Sequence, residues 1–319
     1  MTRYLIRRLL ESALVLVMIS MVVFAALRLA PGDPAQIMMG TSAIGPGAEE
    51  RLERLRQELG LDQPIHVQYL RWVADVASGN LGRSVRTGTP VLPIILDRVP
   101  ATLELVGVSL LIGLILAIPA GVLAAVRHRT WLDYAIGLLT TSGVAIPSFW
   151  FGILLITALS VQRQWLPASG YTPFHEDPLL NLRQAVMPSL TLGLYIAAYV
   201  ARFLRADLLE VLGQDYIRTA RAKGLAPLAV LVRHALRNAL ASTVTILGIL
   251  VGSLLGGVVV IEQVFGWSGI GWLSVQAVFN RDYPVVQGVV LLAAATFLFI
   301  NLLVDLSYAA LDPRARTRD

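Results

Sequence analysis

Gly266-Trp267-Ser268-Gly269 sets a serine between small residues, where a hydroxyl can stand clear as a nucleophile. An intramembrane serine hydrolase built on Ser268 needs a base beside it, ordinarily a histidine that takes the hydroxyl proton. The four histidines, His66, His128, His175 and His234, all fall between the apolar stretches of the chain. The expectation is therefore no catalytic residue, and a turn with Trp267 and Trp272 at a membrane interface. Metal sites are not expected either: the histidines have no ligand spacing, HExxH does not occur, and there is no cysteine to ligate zinc or form a disulfide. No GxxxxGKS or GxxxxGKT occurs, so the chain has no phosphate-cradling loop, and any ATP-driven work requires hydrolysis by another subunit.

The elements that must position these residues are membrane helices. Of 319 residues 56% are hydrophobic and 15% charged, where a soluble domain carries about 25% charge. Charge-free windows run over 12–27, 105–126, 134–161, 184–201, 238–261 and 283–304. Crossing the hydrocarbon core takes about 20 apolar residues, and flanking leucines and snorkelling arginines extend the two shorter windows. The expected fold is an all-α integral membrane protein with six transmembrane helices. Arg3, Arg7 and Arg8 precede the first, which is read as retained because no Ala-x-Ala-like cleavage site follows before Pro31. The net charge of +5 resolves by topology: with both termini cytoplasmic, the inside carries 15 basic and 8 acidic residues and the outside 11 and 13. That is the positive-inside pattern of a protein whose partner is the bilayer, and a nucleic-acid partner is not expected.

The division that follows is a cytoplasmic N-terminus and first helix (1–30), an extracytoplasmic segment (31–100), a five-helix core (101–309) and a cytoplasmic tail (310–319). The core spans are expected at 102–126, 134–161, 185–209, 239–261 and 284–308, with a cytoplasmic loop at 210–238. Within the outer segment, 48–59 reads as a helix with Glu50 and Arg54 at the favourable i, i+4 offset. Tyr69 and Trp72 suit the membrane interface. Pro119, Pro147, Pro188 and Pro284 open or interrupt spans, which membrane helices tolerate when neighbours re-satisfy the backbone. The long loop reads as two short helices broken at Gly224 and Pro227, the second with Leu228, Leu231, Val232 and Ala235 on one face. Such a basic hairpin can lie on anionic lipid or dock a soluble partner.

Longer stretches carry a resemblance. DYIRTARAKGLAPLAVLVRHALRNAL from Asp215, LAPGDPA (29–35), LGLDQPIHVQYLRW (59–72), NLGRS (80–84), PATLEL (100–105), IPSFWFG (146–152), WLPASGY (165–171), VIEQVFGWSGIG (260–271) and RDYPVVQG (281–288) resemble the permease subunits of binding-protein-dependent ABC importers, in the dipeptide/oligopeptide/nickel branch. The resemblance implies a type I ABC importer permease fold. It also implies that the loop forms coupling helices on an ATPase subunit, with Asp215, Tyr216, Thr219, Ala220, Arg221, Lys223, Gly224 and Leu225 as its contact residues. Arg218-Thr219-Ala220 stands where Glu-Ala-Ala occurs elsewhere in the superfamily, and no proline follows Asn238-Ala239.

The implied partners are a second homologous permease, two ATP-binding subunits that carry ATP and Mg, and an extracytoplasmic substrate-binding protein; this chain binds no cofactor. The implied cargo is a dipeptide or oligopeptide, glutathione, nickel or a nickel-metallophore, moved across the inner membrane of a prokaryote. Six spans are few to enclose such a path, so it is expected between two permeases. Ser142, Ser148, Thr191, Ser253, Glu262 and Asn301 are the candidate lining residues, although small polar residues also serve helix packing. Glu262 is placed near the outer interface, where an ionisable group costs little.

Overall fold

A segment in lipid must satisfy its backbone internally, and the long apolar windows accordingly become helices. The computed structural model describes residues 2–29, 34–39, 47–58 and 60–311. Among these there is no β-strand, only an isolated antiparallel bridge between Arg83 and Pro90. The helices are α1 (Thr2–Leu29), α2 (Pro34–Met39), α3 (Ala48–Glu58), α4 (Ile65–Ala77), α5 (Val91–Leu96), α6 (Val99–Val126), α7 (Trp131–Ala145) and α8 (Ser148–Leu155). Then follow α9 (Pro178–Leu212), α10 (Asp215–Ala222), α11 (Pro227–Ala229), α12 (Arg237–Val264), α13 (Ile270–Phe279) and α14 (Tyr283–Leu311). π-helical turns extend α8 over Ile156–Gln162 and join α11 to α12 over Val230–Leu236.

The expectation of an all-α membrane protein holds, and the expected spans differ from straight helices in detail. Among the described residues four segments are long and apolar enough to cross a membrane: Ile6–Ala26, Val91–Val126, Pro178–Leu212 and Tyr283–Leu302. The window 134–161 is not one straight helix. Its halves, Trp131–Ala145 and Ser148–Gln162, meet at 98°. Pro147 is the cause: its ring disfavours a helical residue before it, and Ile146 is extended at φ −77°, ψ 126°. The window 238–261 lies on the 28-residue α12.

The chain forms two compact units. The first comprises Met1–Pro100 and Gly269–Leu298. Here Val91 and Ile95 of α5 pack on Ala277 of α13 and on Val285 and Val289 of α14. Asp282, buried just before α14, accepts from the Ser84 hydroxyl at 2.5 Å and the Val85 N–H at 3.1 Å. Tyr69 and Trp72, expected at the membrane interface, pack on α1. Their rings lie 5.5 Å from that of Phe24 on α1, and the Tyr69 hydroxyl bonds Ser20 at 2.8 Å.

The second unit comprises Ala101–Ser268 and Phe299–Asp319, and α9 is its axis. The Asp177 carboxylate caps α9 by accepting the Leu180 N–H at 3.0 Å, and Pro178 opens the helix. Leu192, Ile196 and Val200 of α9 meet Leu105 and Ala117 of α6 and Leu250, Leu254, Val258 and Ile261 of α12. Small residues permit this approach: a Cβ on Gly113 of α6 would fall 2.5 Å from Ile196, and one on Gly193 of α9 would fall 2.8 Å from Ile112.

Candidate functional site

Two features of the second unit gather the candidate residues, a hairpin and a cavity. α10 is short and strongly two-faced. Ile217 and Ala220, three residues apart, turn inward onto Leu204 and Leu208 of α9 and Ala125 of α6. Asp215, Tyr216, Thr219, Arg221, Lys223, Gly224 and Leu225 are exposed. Gly224 ends α10 with a φ of +77°, a left-handed conformation open to a residue without Cβ, and no atom stands within 4 Å of where its Cβ would be. Asn238 closes the base of the hairpin, donating to the Tyr216 hydroxyl at 2.9 Å and to the His234 carbonyl at 2.8 Å.

Two expectations for the hairpin change. Ala220, expected on the docking face, belongs to the inward stripe and is 8% exposed; its small side chain lets α10 lie close to the core. The second segment does not present Leu228, Leu231, Val232 and Ala235 together. Val230 and Ala235 are buried while Leu228 and Val232 are exposed. The reason is the π turn, whose i→i+5 bonding widens the repeat beyond the α-helical 3.6 on which that face was drawn. A groove of about 870 Å³ runs between the hairpin and the ends of α6 and α9, lined by Leu209, Leu212, Leu225 and Leu228, with Arg221 among them.

The bend at Ile146–Pro147 opens a mostly apolar cavity of about 460 Å³ against α9. Ser142, Ser148 and Thr191 line it together, beside Thr140, Phe151 and Tyr195. The Thr191 hydroxyl is spent on its own helix, donating to the Met187 carbonyl at 2.8 Å. Asn301 is half-buried on α14 and does not line this cavity, and the side chain of Ser253, on α12, lies outside the described residues.

Glu262, expected near the outer interface where an ionisable group costs little, is enclosed in protein. It is fully buried at the end of α12, where its carboxylate accepts from the Thr102 hydroxyl at 2.7 Å. Trp267, also expected at an interface, is fully buried as well. Its indole N–H donates to the Ala101 carbonyl at 2.8 Å, and Tyr171 packs edge-on at 4.6 Å. Ser268 follows in the turn before α13. His128 lies 3.1 Å from Asp133, and His175 lies 3.9 Å from Glu176.

Known proteins resemble the chain in sequence and in fold. The profile described as "Binding-protein-dependent transport system inner membrane component" matches residues 117–317, and the companion N-terminal profile matches residues 1–106. A probable peptide ABC transporter permease protein of Sinorhizobium fredii is 41% identical, aligned over 98% of this chain and 99% of its own. The oligopeptide transport system permease protein AppB of Bacillus subtilis is 41% identical over 98% and 99% of the two chains. The glutathione transport system permease protein GsiC of Escherichia coli is 40% identical over 99% of both. A chain of the inward-facing MetNI methionine ABC transporter superposes with a TM-score of 0.57 at 20% identity, covering 69% of this chain and 96% of that one, and so shares the fold. With sequence matched along almost its whole length and the importer permease fold in its helices, the chain belongs to the family of binding-protein-dependent transport system inner membrane components, the permeases of ABC importers.

Proposed function

We propose that this chain forms half of the translocation path of an ATP-driven importer and meets an ATPase subunit through the α10–α11 hairpin. The observation that carries the reading is the hairpin's two-sidedness. Its inward stripe is anchored on Leu204 and Leu208, while Tyr216, Thr219, Arg221, Lys223, Gly224 and Leu225 stand outward. α10 spends its apolar stripe on the core, which leaves it no apolar face to enter a bilayer. The exposed Leu225, Leu228 and Val232 suit helix-in-groove docking on a soluble partner.

In this reading two ATP-binding subunits carry ATP and Mg, a second homologous permease supplies the other half of the path, and an extracytoplasmic binding protein delivers the solute. This chain is non-catalytic, and both termini are cytoplasmic, as the charge distribution favours. The cargo is a peptide or a related small solute. That assignment is supported by the peptide, oligopeptide and glutathione names of relatives 40–41% identical. Ser142, Ser148 and Thr191, gathered at the bend, are the favoured path residues.

The chain has no cysteine, so a single Leu225→Cys variant carrying a photocrosslinker reports its neighbour directly. The expected adduct in the assembled importer is with an ATPase subunit. Adducts with lipid and never with that subunit reject the hairpin assignment.

A further inference from the structure

The turn between α6 and α7 is tied to α9 by an ion pair that belongs to neither the hairpin nor the cavity. Asp133, in the first turn of α7, is 4% exposed. Arg205 of α9 donates to both of its oxygens, from Nε to Oδ1 at 2.6 Å and from Nη2 to Oδ2 at 2.8 Å. Oδ2 also accepts the Arg129 backbone N–H at 3.0 Å and lies 3.1 Å from Nδ1 of His128. Arg129 holds a left-handed φ of 62°, a conformation a non-glycine residue adopts at a cost. The turn is thus folded around the carboxylate.

The position of this pair matters more than its strength. Arg205 lies between Leu204 and Leu208, the α9 residues on which the hairpin's Ile217 and Ala220 rest. Farther along α7, Gly143 approaches α9 so closely that a Cβ there would fall 2.8 Å from that of Ala198. Three residues later comes the bend that opens the cavity. Helices in a membrane have no hydrophobic drive toward one another and are held by close packing and interhelical hydrogen bonds. A bidentate guanidinium–carboxylate pair fixes both separation and orientation.

We propose that Asp133 and Arg205 are positioning residues of the transport cycle. The pair makes α7 move with α9, so that a displacement of the hairpin reaches the Ile146–Pro147 bend and its cavity. This rests on the hairpin being the ATPase contact.

The test uses the importer assembled with its second permease, ATPase subunits and binding protein in proteoliposomes, and reads peptide uptake and ATP hydrolysis together. Asp133→Asn and Arg205→Gln are expected to copurify with the ATPase subunits and to hydrolyse ATP at the parent rate. Peptide moved per ATP is expected to fall about tenfold, a typical size for a lost coupling. An unchanged ratio in either variant overturns the proposal.

Asp133→Cys combined with Arg205→Cys, bridged by a bifunctional thiol reagent, separates linkage from folding. Restored transport per ATP on bridging supports the proposal, including where the neutral variants fail to assemble. Restored assembly without restored coupling overturns it. Gly224→Val in the same assay tests the hairpin independently. Coupling lost there but normal in Asp133→Asn rejects the ion pair alone, and coupling normal in both rejects the hairpin as well. Coupling normal in Gly224→Val but lost in Asp133→Asn rejects the route between them.

Discussion

Two buried hydrogen bonds tie the end of α12 and the turn after it to the start of α6: the Glu262 carboxylate accepts from the Thr102 hydroxyl, and the Trp267 indole N–H donates to the neighbouring Ala101 carbonyl. A carboxylate away from water depends on such donors, because burial makes each missing hydrogen bond expensive. Thr102→Val keeps the shape of the threonine and removes its hydroxyl. It is expected to lower stability by about 1–3 kcal/mol, read as a fall in Tm of the purified chain. Glu262→Gln, which retains an acceptor oxygen, should cost less.

Tyr171, in the segment between α8 and α9, donates its hydroxyl to Glu104 at 3.3 Å. Burial first, and then the adjacent Glu104 carboxylate, raise the phenol above its ordinary value. A raised acid favours the folded state while protonated, so this contribution is complete below about pH 10 and is lost as pH climbs through the folded value. Tyr171→Phe should flatten the alkaline limb of a Tm-against-pH curve while leaving the neutral region nearly parallel. At this scale the sequence is a partial guide. A tryptophan or glutamate near the end of an apolar window has the same signature at an interface as in a protein interior. Only the partners, Ala101 and Thr102 at the far end of the unit's sequence, distinguish the two.

Helix packing in the second unit turns on Gly113, Gly143 and Gly193, where Ile196, Ala198 and Ile112 of the neighbouring helix occupy the place a Cβ would take. Gly143→Val is expected to wedge α7 from Ala198 and cost about 1–3 kcal/mol. The same substitution at Gly137, also on α7 but with no atom within 4 Å of its Cβ position, should be nearly silent. Thermal unfolding of the two variants in one detergent checks the contrast. Most elements were legible because their causes are local. Lipid forbids charge, so the charge-free windows mark long helices, while Gly224 and Pro227 mark the break in the hairpin. The 98° bend was legible only as a proline, since the direction after Pro147 depends on what α8 packs against. The apolar face expected over 228–235 assumes the α-helical period, and nothing in the residue types of 230–236 distinguishes a π turn from an α turn. Asp133 and Arg205 lie 72 residues apart, and one sequence does not pair such positions. Arg205 nevertheless fell inside an expected span, where an ionisable residue calls for a partner.

On the scale of the whole chain, stability and function draw on different surfaces. Large apolar side chains such as Leu138 and Leu139 on α7 and Leu111 and Ile115 on α6 are exposed. This is the ordinary state of a protein whose solvent is hydrocarbon, where close packing and internal hydrogen bonds hold helices together. The charged residues lie outside the charge-free windows, and several cluster on the hairpin proposed to meet the ATPase, on a chain with no phosphate loop. The two π segments add tolerance in length. A turn closed by i→i+5 bonds holds more residues than an α turn, so Val230–Leu236 has slack that an ordinary helix lacks. Deleting the exposed Val232 is expected to tighten that turn to α and leave α12 in register. Deleting Leu250 from α12 swings every later residue of the helix by about 100° and carries Glu262 away from Thr102. Assembly with the ATPase subunits should survive the first deletion and fail after the second, which would mark the junction of hairpin and membrane helix as the place where this chain can lose a residue without losing its shape.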